Sequence, residues 1–388
     1  MNYHFSDKMN HLAPSAIREI LKATSQPGII PFAAGNPAPE AFPVDAVQKI
    51  SANLLHNRPV DCLQYGITEG YAPLRERVKA DVRMRLELGH EADELIVTSG
   101  AMQVIDLATK VLCNEGDTIL CETPSFIGSL NTFRSYGVRL CGIPMQHDGM
   151  DMDALEHALQ TEKNVRFIYT IPNYQNPTGI TMSITKRRHM LELARQHNVL
   201  VLEDNPYGEL CYDGESPPCI KHFDDDGHVI YAGSFSKILS PGMRVGYALA
   251  PQPIIAKMTV GKQASDVHTT MWAQLVVDEW LQHYSVAEHV RNICSIYAAK
   301  RDIMCNGLAG TALQFQVPAG GLFLWCNLPP TINMVDFTQR ALAQKVAVVP
   351  GHAFAVQPND NMNAVRLNFS TPTNEQLMDG INILQRLI

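Results

Sequence analysis

No apolar run in the sequence approaches the ~20 residues that a membrane-spanning helix needs, so a transmembrane protein is not expected. Met1–Lys8 lacks the apolar core of a signal peptide. There is no excess of basic residues. Lys and Arg number 31 against 39 Asp and Glu, a formal net charge of −8. That balance argues against a broad nucleic-acid-binding face and leaves room for a local basic pocket. The nine cysteines contain no C-x-x-C pair, and their count is odd. Reduced thiols in a cytoplasmic protein are expected, not a disulfide framework. The 14 histidines show no metal-ligand spacing with neighbouring carboxylates, so no metal is expected. Repeats, low-complexity tracts and long charge runs are also missing. With 46% hydrophobic and 18% charged residues, disorder is excluded as the main state. A chain of 388 residues has room for two lobes around a large core.

The middle of the chain alternates short β-rich runs with helical spacing. Leu95–Thr98, Thr118–Cys121, Val138–Ile143, Phe167–Ile171, Val199–Glu203, Val229–Ala232 and Val245–Leu249 read as strands. Between them, Ala101–Leu112, Ile127–Phe133, the stretch around Leu155–Leu159 and a segment from Ile184 read as helices. Val199–Glu203 has no polar alternation, so it should be buried on both faces. This pattern predicts an α/β fold with a mostly parallel sheet, whose ligands bind beyond the carboxyl ends of the strands. A short helix, Ser15–Lys22, and a Pro- and Gly-rich stretch, Pro27–Pro43, precede it. Residues 45–285 are read as one large domain. Residues 1–44 and 286–388 are read as a smaller lobe, with a strand near Gly321–Trp325.

Four segments that follow predicted strands could carry chemistry. In Gly233–Tyr247, Lys237 lies among Ser234, Ser236 and Arg244. A lysine that forms an imine must be partly neutral, which needs desolvation or a nearby cation. A phosphate needs hydroxyls, backbone N–H groups and a guanidinium fork. Both needs are met in this one segment; the competing reading is a polar turn with an exposed lysine. Asp204 ends a buried strand, where a carboxylate is costly without a positive partner, and Tyr207 follows three residues later. An N-cap aspartate is the alternative there. Asn176 precedes Pro177 in Pro172–Gly179, where a plain Asn-Pro turn competes. In Thr98–Val104, Ala101 and Met102 would open a helix and offer their N–H groups to an anion.

Taken in order, S-G-A, N-P-T-G, D-x-x-Y and S-x-S-K with a later arginine resemble the pyridoxal 5′-phosphate dependent aminotransferases of fold type I, class I/II. Phe32–Glu40, Leu63–Tyr71, Val349–Gly351 and Arg366–Phe369 extend the likeness over nearly the whole chain. The most similar subgroup is that of the 2-aminoadipate and kynurenine aminotransferases, which also resembles the aminotransferase domain of MocR-type regulators.

The resemblance implies a large domain with a mostly parallel, seven-stranded-type sheet flanked by helices, beside a smaller α+β domain. It implies that Lys237 anchors the cofactor and moves the proton, and that Asp204 keeps the ring nitrogen protonated. Asn176 and Tyr207 would hold the ring oxygen, and Phe126 would stack on the ring. Ser234, Ser236, Arg244 and the Ala101 and Met102 amides would hold the phosphate. Tyr65 would reach the phosphate of a neighbouring subunit, which implies a homodimer with shared sites. Arg366 would pair with the substrate α-carboxylate, which Gly35 lets approach. Arg18 would meet a distal carboxylate if its helix lies over the site, and a solvated arginine beside Glu19 is the alternative.

Two positions depart from the family pattern. Ala101 and Met102 stand where side-chain hydroxyls or amides are frequent, so somewhat weaker phosphate binding is expected. Phe126 stands where tyrosine is frequent, which preserves stacking. His147, His222 and His228 are read as surface residues, Trp272 and Trp325 as packing residues, and His352 as a residue beside the site or outside it.

The activity implied is transfer of an amino group from an L-α-amino acid to a 2-oxo acid by a ping-pong cycle through pyridoxamine phosphate. A lyase reaction on the same scaffold is one alternative. An amino-acid-sensing regulator is a weaker one, because no segment for a DNA-binding domain precedes the match and the net charge is −8.

Overall fold

The computed structural model describes residues 1, 3–10, 27–358, 360 and 362–388. Its main sheet is built from β1 (Asp93–Thr98), β2 (Thr118–Thr123), β3 (Arg139–Gln146), β4 (Gly149–Met150), β5 (Val165–Thr170), β6 (Leu200–Asp204), β7 (Val229–Ser234) and β8 (Gly246–Pro251). Their order is β1-β8-β7-β6-β5-β2-β3-β4. The run from β7 to β3 is parallel throughout. β8 lies antiparallel to both β1 and β7. β4 is a two-residue hairpin arm added to seven longer strands.

The inner strands bury both faces, as their apolar runs require. Odd and even positions part cleanly into two packed clusters. Ile119, Cys121, Phe167, Tyr169, Leu202 and Ile230 face one core. Leu120, Ile168, Val201 and Val229 face the other. That division is the two-residue period of a pleated strand applied to a sheet covered on both sides.

Helices cover these faces. On the first side lies α1 (Ala101–Leu112), with Val104, Ile105, Leu107 and Ala108 buried at helical spacing. On the second lie α2 (Met152–Thr161) and α3 (Ile184–His197). Asp151 caps α2 by accepting from the amides of Asp153 and Ala154, and Ser183 caps α3 from Lys186. Asn198 closes α3 in the left-handed conformation, where asparagine is tolerated.

A second sheet joins β9 (Phe323–Asn327), β10 (Val349–Pro350) and β11 (Ala364–Asn368) in the order β10-β11-β9. Two observations place it over the main sheet's carboxyl edge. Arg366 Nη1, on β11, donates to Asn176 Oδ1 in the turn after β5, and Ser125 N, just past β2, donates to Phe354 O. The predicted strand at Gly321–Trp325 starts two residues later, because Gly321 has φ +76° and turns the chain against Tyr174. The predicted helix Ser15–Lys22 lies outside the described residues. No helix among the described residues is long and apolar enough to cross a membrane.

Candidate active site

The carboxyl ends of β2, β5, β6 and β7 open onto one cavity of about 300 Å³. Lys237 projects into it from the turn after β7. Its Nζ donates to Gly35 O at 2.8 Å. Burial, then the Arg366 and Arg244 guanidinium groups, push its amine down to about 8.

Asp204 is the last residue of β6 and is 3% exposed. Its Oδ2 accepts from Tyr169 Oη at 2.9 Å, while Oδ1 is buried with no partner. Burial pushes this carboxyl up to about 7, against the pull of the Tyr169 hydrogen bond. Tyr207 is buried three residues on, edge to face with Phe323 at 5.7 Å.

Arg366 comes from β11. Its guanidinium lies 4.2 Å from the Phe323 ring centre and 5.1 Å from that of Phe354. Nη1 donates to Asn176 Oδ1 at 3.0 Å and Nη2 to Ala33 O at 2.8 Å, which leaves Nε buried without a partner. Aromatic faces hold a guanidinium cation in a dry place, and burial still pushes it down to about 10.

Arg244 carries a positive φ of 55°, rare for a residue with a side chain. It donates to Ser99 O at 3.1 Å, beside the N-terminus of α1. A Cβ on Gly100 would collide with this guanidinium, and one on Gly246 would collide with the backbone of Gly100 and Ala101. The two glycines therefore make the close approach possible. The result is a cup lined by Arg244, Ser234, Ser236 and the start of α1, whose first amides have no intrahelical acceptor.

Twelve of the residues singled out from the sequence line this one cavity: Gly35, Ala101, Met102, Phe126, Asn176, Asp204, Tyr207, Ser234, Ser236, Lys237, Arg244 and Arg366. Tyr65 does not line it and is 81% exposed, packed edge-on against His268. Arg18 lies outside the described residues. Sequence reasoning missed Phe323, Phe354, Ile127 and Asn36, which line or back the cavity. Phe323 lies on the strand paired with the one that carries Arg366, a pairing that no local sequence signal reveals.

His352 is exposed and is not among the lining residues. His147 is exposed as expected, but His222 and His228 are half-buried. The expectation that no histidine meets carboxylates at ligand spacing needs correction, because Asp224, Asp226 and His228 converge. Lys221 and Arg195 already neutralise that cluster, so it needs no ion. Trp325 packs on Phe354 and Trp272 packs against the core, as read from the sequence.

The family model described as aminotransferase class I and II matches residues 27–384. The aromatic-amino-acid aminotransferase 1 of Thermococcus litoralis is 37% identical over 99% of this chain and 94% of its own. Among solved structures, a multiple substrate aminotransferase from Thermococcus profundus superposes with a TM-score of 0.94 at 37% identity, covering 99% of this chain and 97% of that one. The alpha-aminoadipate aminotransferase of Thermus thermophilus, complexed with N-(5′-phosphopyridoxyl)-L-leucine, gives 0.91 at 35% identity, covering 99% and 96%.

Proposed function

This chain belongs to the class I and II aminotransferases and moves amino groups with pyridoxal 5′-phosphate; from that premise we propose that it prefers large neutral L-α-amino acids as donors and that the cavity residues divide the work as follows. The residues present fit the cofactor. The unpartnered Oδ1 of Asp204 is an acceptor for a ring N–H. The cup of Arg244, Ser234, Ser236 and the Ala101 and Met102 amides suits a phosphate dianion. Phe126 offers a face to the ring, and Asn176 and Tyr207 offer polar groups to its oxygen.

Bound pyridoxal phosphate supplies the electron sink that lets the substrate Cα–H ionise. Lys237 moves that proton. With its amine pushed down to about 8, a useful fraction is neutral near pH 7 and can accept a proton and return it. Asp204 holds the ring nitrogen in its protonated form. Arg366, backed by Phe323 and Phe354, takes the substrate α-carboxylate, and its free Nε leaves capacity for a two-point grip. Gly35, whose carbonyl holds the Lys237 amine, leaves room for that carboxylate.

One observation carries the donor preference. Among the described residues, the cations that line the cavity are Lys237, Arg244 and Arg366, and each already has a task. The rest of the wall includes Ala33, Met102, Ile105, Ile127 and Phe323. An acidic side chain would be desolvated there with no partner. Arg18 could supply one, and it lies outside the described residues.

The test is to mix the purified holoenzyme with single amino acids and no oxo acid, following the visible spectrum and the 2-oxo acid released. Phenylalanine, tyrosine and leucine should convert the enzyme to its pyridoxamine form at least about ten times more efficiently than 2-aminoadipate or glutamate, the scale of an unpaired buried charge. Better conversion by 2-aminoadipate would overturn the donor reading. Arg18→Ala would then be expected to change the ratio of acidic to neutral donors. Ammonia release without the pyridoxamine form would indicate the lyase reaction instead.

A homodimer with shared sites belongs to the same proposal. Val60, Leu63, Tyr65 and Ile67 are exposed on one short segment. A second copy would cover them and bring Tyr65 to the neighbouring phosphate cup.

A further inference from the structure

Asp204 does not stand alone at the end of β6. Tyr169 Oη donates to its Oδ2 at 2.9 Å, and Ser129 Oγ donates to Tyr169 Oη at 2.7 Å. All three residues are buried; Ser129 and Tyr169 have no exposed surface. Tyr169 lies on β5, the strand beside β6. Ser129 lies on the helix Ile127–Ser135, three residues past Phe126. Phe133 of the same helix packs edge-on against the Tyr169 ring at 5.3 Å, which fixes the ring plane.

We propose that Tyr169, oriented by Ser129, is a positioning residue that commits one oxygen of Asp204 and so sets how firmly the other holds the cofactor ring nitrogen in its protonated form.

The argument is one of donors and acceptors. Ser129 fills the acceptor side of the Tyr169 hydroxyl, so the phenolic proton is directed to Asp204. Burial keeps that phenol protonated far above its ordinary range, so it remains a donor at every working pH. A donated hydrogen bond stabilises the carboxylate form of Asp204 and makes it a weaker base. That matters because one proton is shared between Asp204 and the ring nitrogen. What opposes Tyr169 is burial, which pushes the Asp204 carboxyl up. The buried Glu122, next to last in β2, is met among the described residues by the neutral donors of Thr170, Ile171 and Gln175 and brings no positive charge to this end of the sheet. Tyr169 is the one hydrogen-bond donor to Asp204 among the described residues. Without it, the proton should pass toward the carboxylate and leave the ring nitrogen neutral.

This inference rests on the reading that Asp204 faces the ring nitrogen. The test loads the holoenzyme with cofactor labelled with nitrogen-15 in the ring and records the nitrogen resonance, together with kcat and KM. Tyr169→Phe should move the resonance toward that of an unprotonated ring and lower kcat about ten-fold, the lower range for a hydrogen bond to a charged group, with little change in donor KM. Ser129→Ala should shift both in the same direction by less, because the hydroxyl remains but loses its orientation. Tyr169→Phe with a wild-type resonance and kcat, changed only in melting temperature, makes Tyr169 a packing residue and overturns the proposal. Should Tyr169→Phe fail to fold, Ser129→Ala decides alone, and an unmoved resonance there overturns it too. Asp204→Asn is the control. If its resonance stays protonated, the reading of Asp204 fails; if it shifts while Tyr169→Phe does not, only the role of Tyr169 fails.

Discussion

Lys237 owes its poise to burial and two neighbouring arginines rather than to its own chemistry. Burial disfavours the ammonium form, and Arg366 and Arg244 repel it, so the amine is pushed down to about 8 from an ordinary 10.5. The sign has two consequences for the cofactor-free protein. The neutral amine attacks the cofactor aldehyde, so the attachment rate should rise with pH through about 8 and then level off. Removing one neighbouring cation should raise the amine's affinity for a proton. Arg366→Leu should therefore move the midpoint upward by roughly half a unit to one unit, as expected for loss of a nearby like charge. Stopped-flow attachment between pH 6 and 10 (a roughly chosen window around the ordinary lysine range) would show it. A midpoint that stays in place would remove Arg366 from the account. Lys237, Asn176 and Arg244 could be found in the sequence because each sits in a turn with unusual companions. Tyr169 and Phe323 could not, because an aromatic in an apolar strand looks like any core residue. Glu122 sits one residue before the end of β2 much as Asp204 ends β6, yet an isolated carboxylate gives no sign of what surrounds it.

Strands and helices report their kind through period, but not their neighbours. The alternation of β-rich runs and helices revealed the α/β class, and the boundaries fell within a few residues. The antiparallel placement of β1 and β8 was hidden, because nothing local in Gly246–Pro251 shows that it runs against β7. The helix Ala72–Leu86 was hidden for another reason. It buries only Leu74, Val78 and Val82, and it relies on charges such as Arg77, which donates to Asp278 at 2.7 Å. A similar pin joins the sheet's far end. Lys221 has no exposed surface and bridges Asp93, at the start of β1, at 2.9 Å and Asp224, before β7, at 2.8 Å. These residues flank the amino end of β7, whereas the cavity opens at its carboxyl end. Lys221→Met would strand two buried carboxylates and should cost about 3–5 kcal/mol in denaturant unfolding. It should leave kcat of the folded fraction unchanged. Equal losses of stability and kcat would mean that strain at this end reaches the site.

At the scale of the whole molecule, a cavity that closes on itself would need no second chain, and this one has a residue left over. Tyr65 belongs to a segment that matched the family pattern, yet it is 81% exposed and absent from the cavity wall. Leu63, two residues earlier, is 78% exposed. Large apolar side chains exposed together on one short stretch mark a surface that another molecule covers. A symmetric pair would bring each segment to its partner, since a two-fold interface uses the same patch twice. Two substitutions separate assembly from chemistry. If a second copy covers this segment as proposed, Leu63→Glu would bury a charge there and shift sedimentation toward the monomer, with cofactor affinity falling in step. Tyr65→Phe keeps the apolar surface and removes one hydroxyl, so the dimer should persist. Cofactor affinity should then drop by roughly ten-fold, the scale of one hydrogen bond to a charged phosphate. If Leu63→Glu sediments as the wild type does, this segment is not the interface. If Tyr65→Phe binds the cofactor at full strength, Tyr65 serves assembly alone and each copy completes its own phosphate cup.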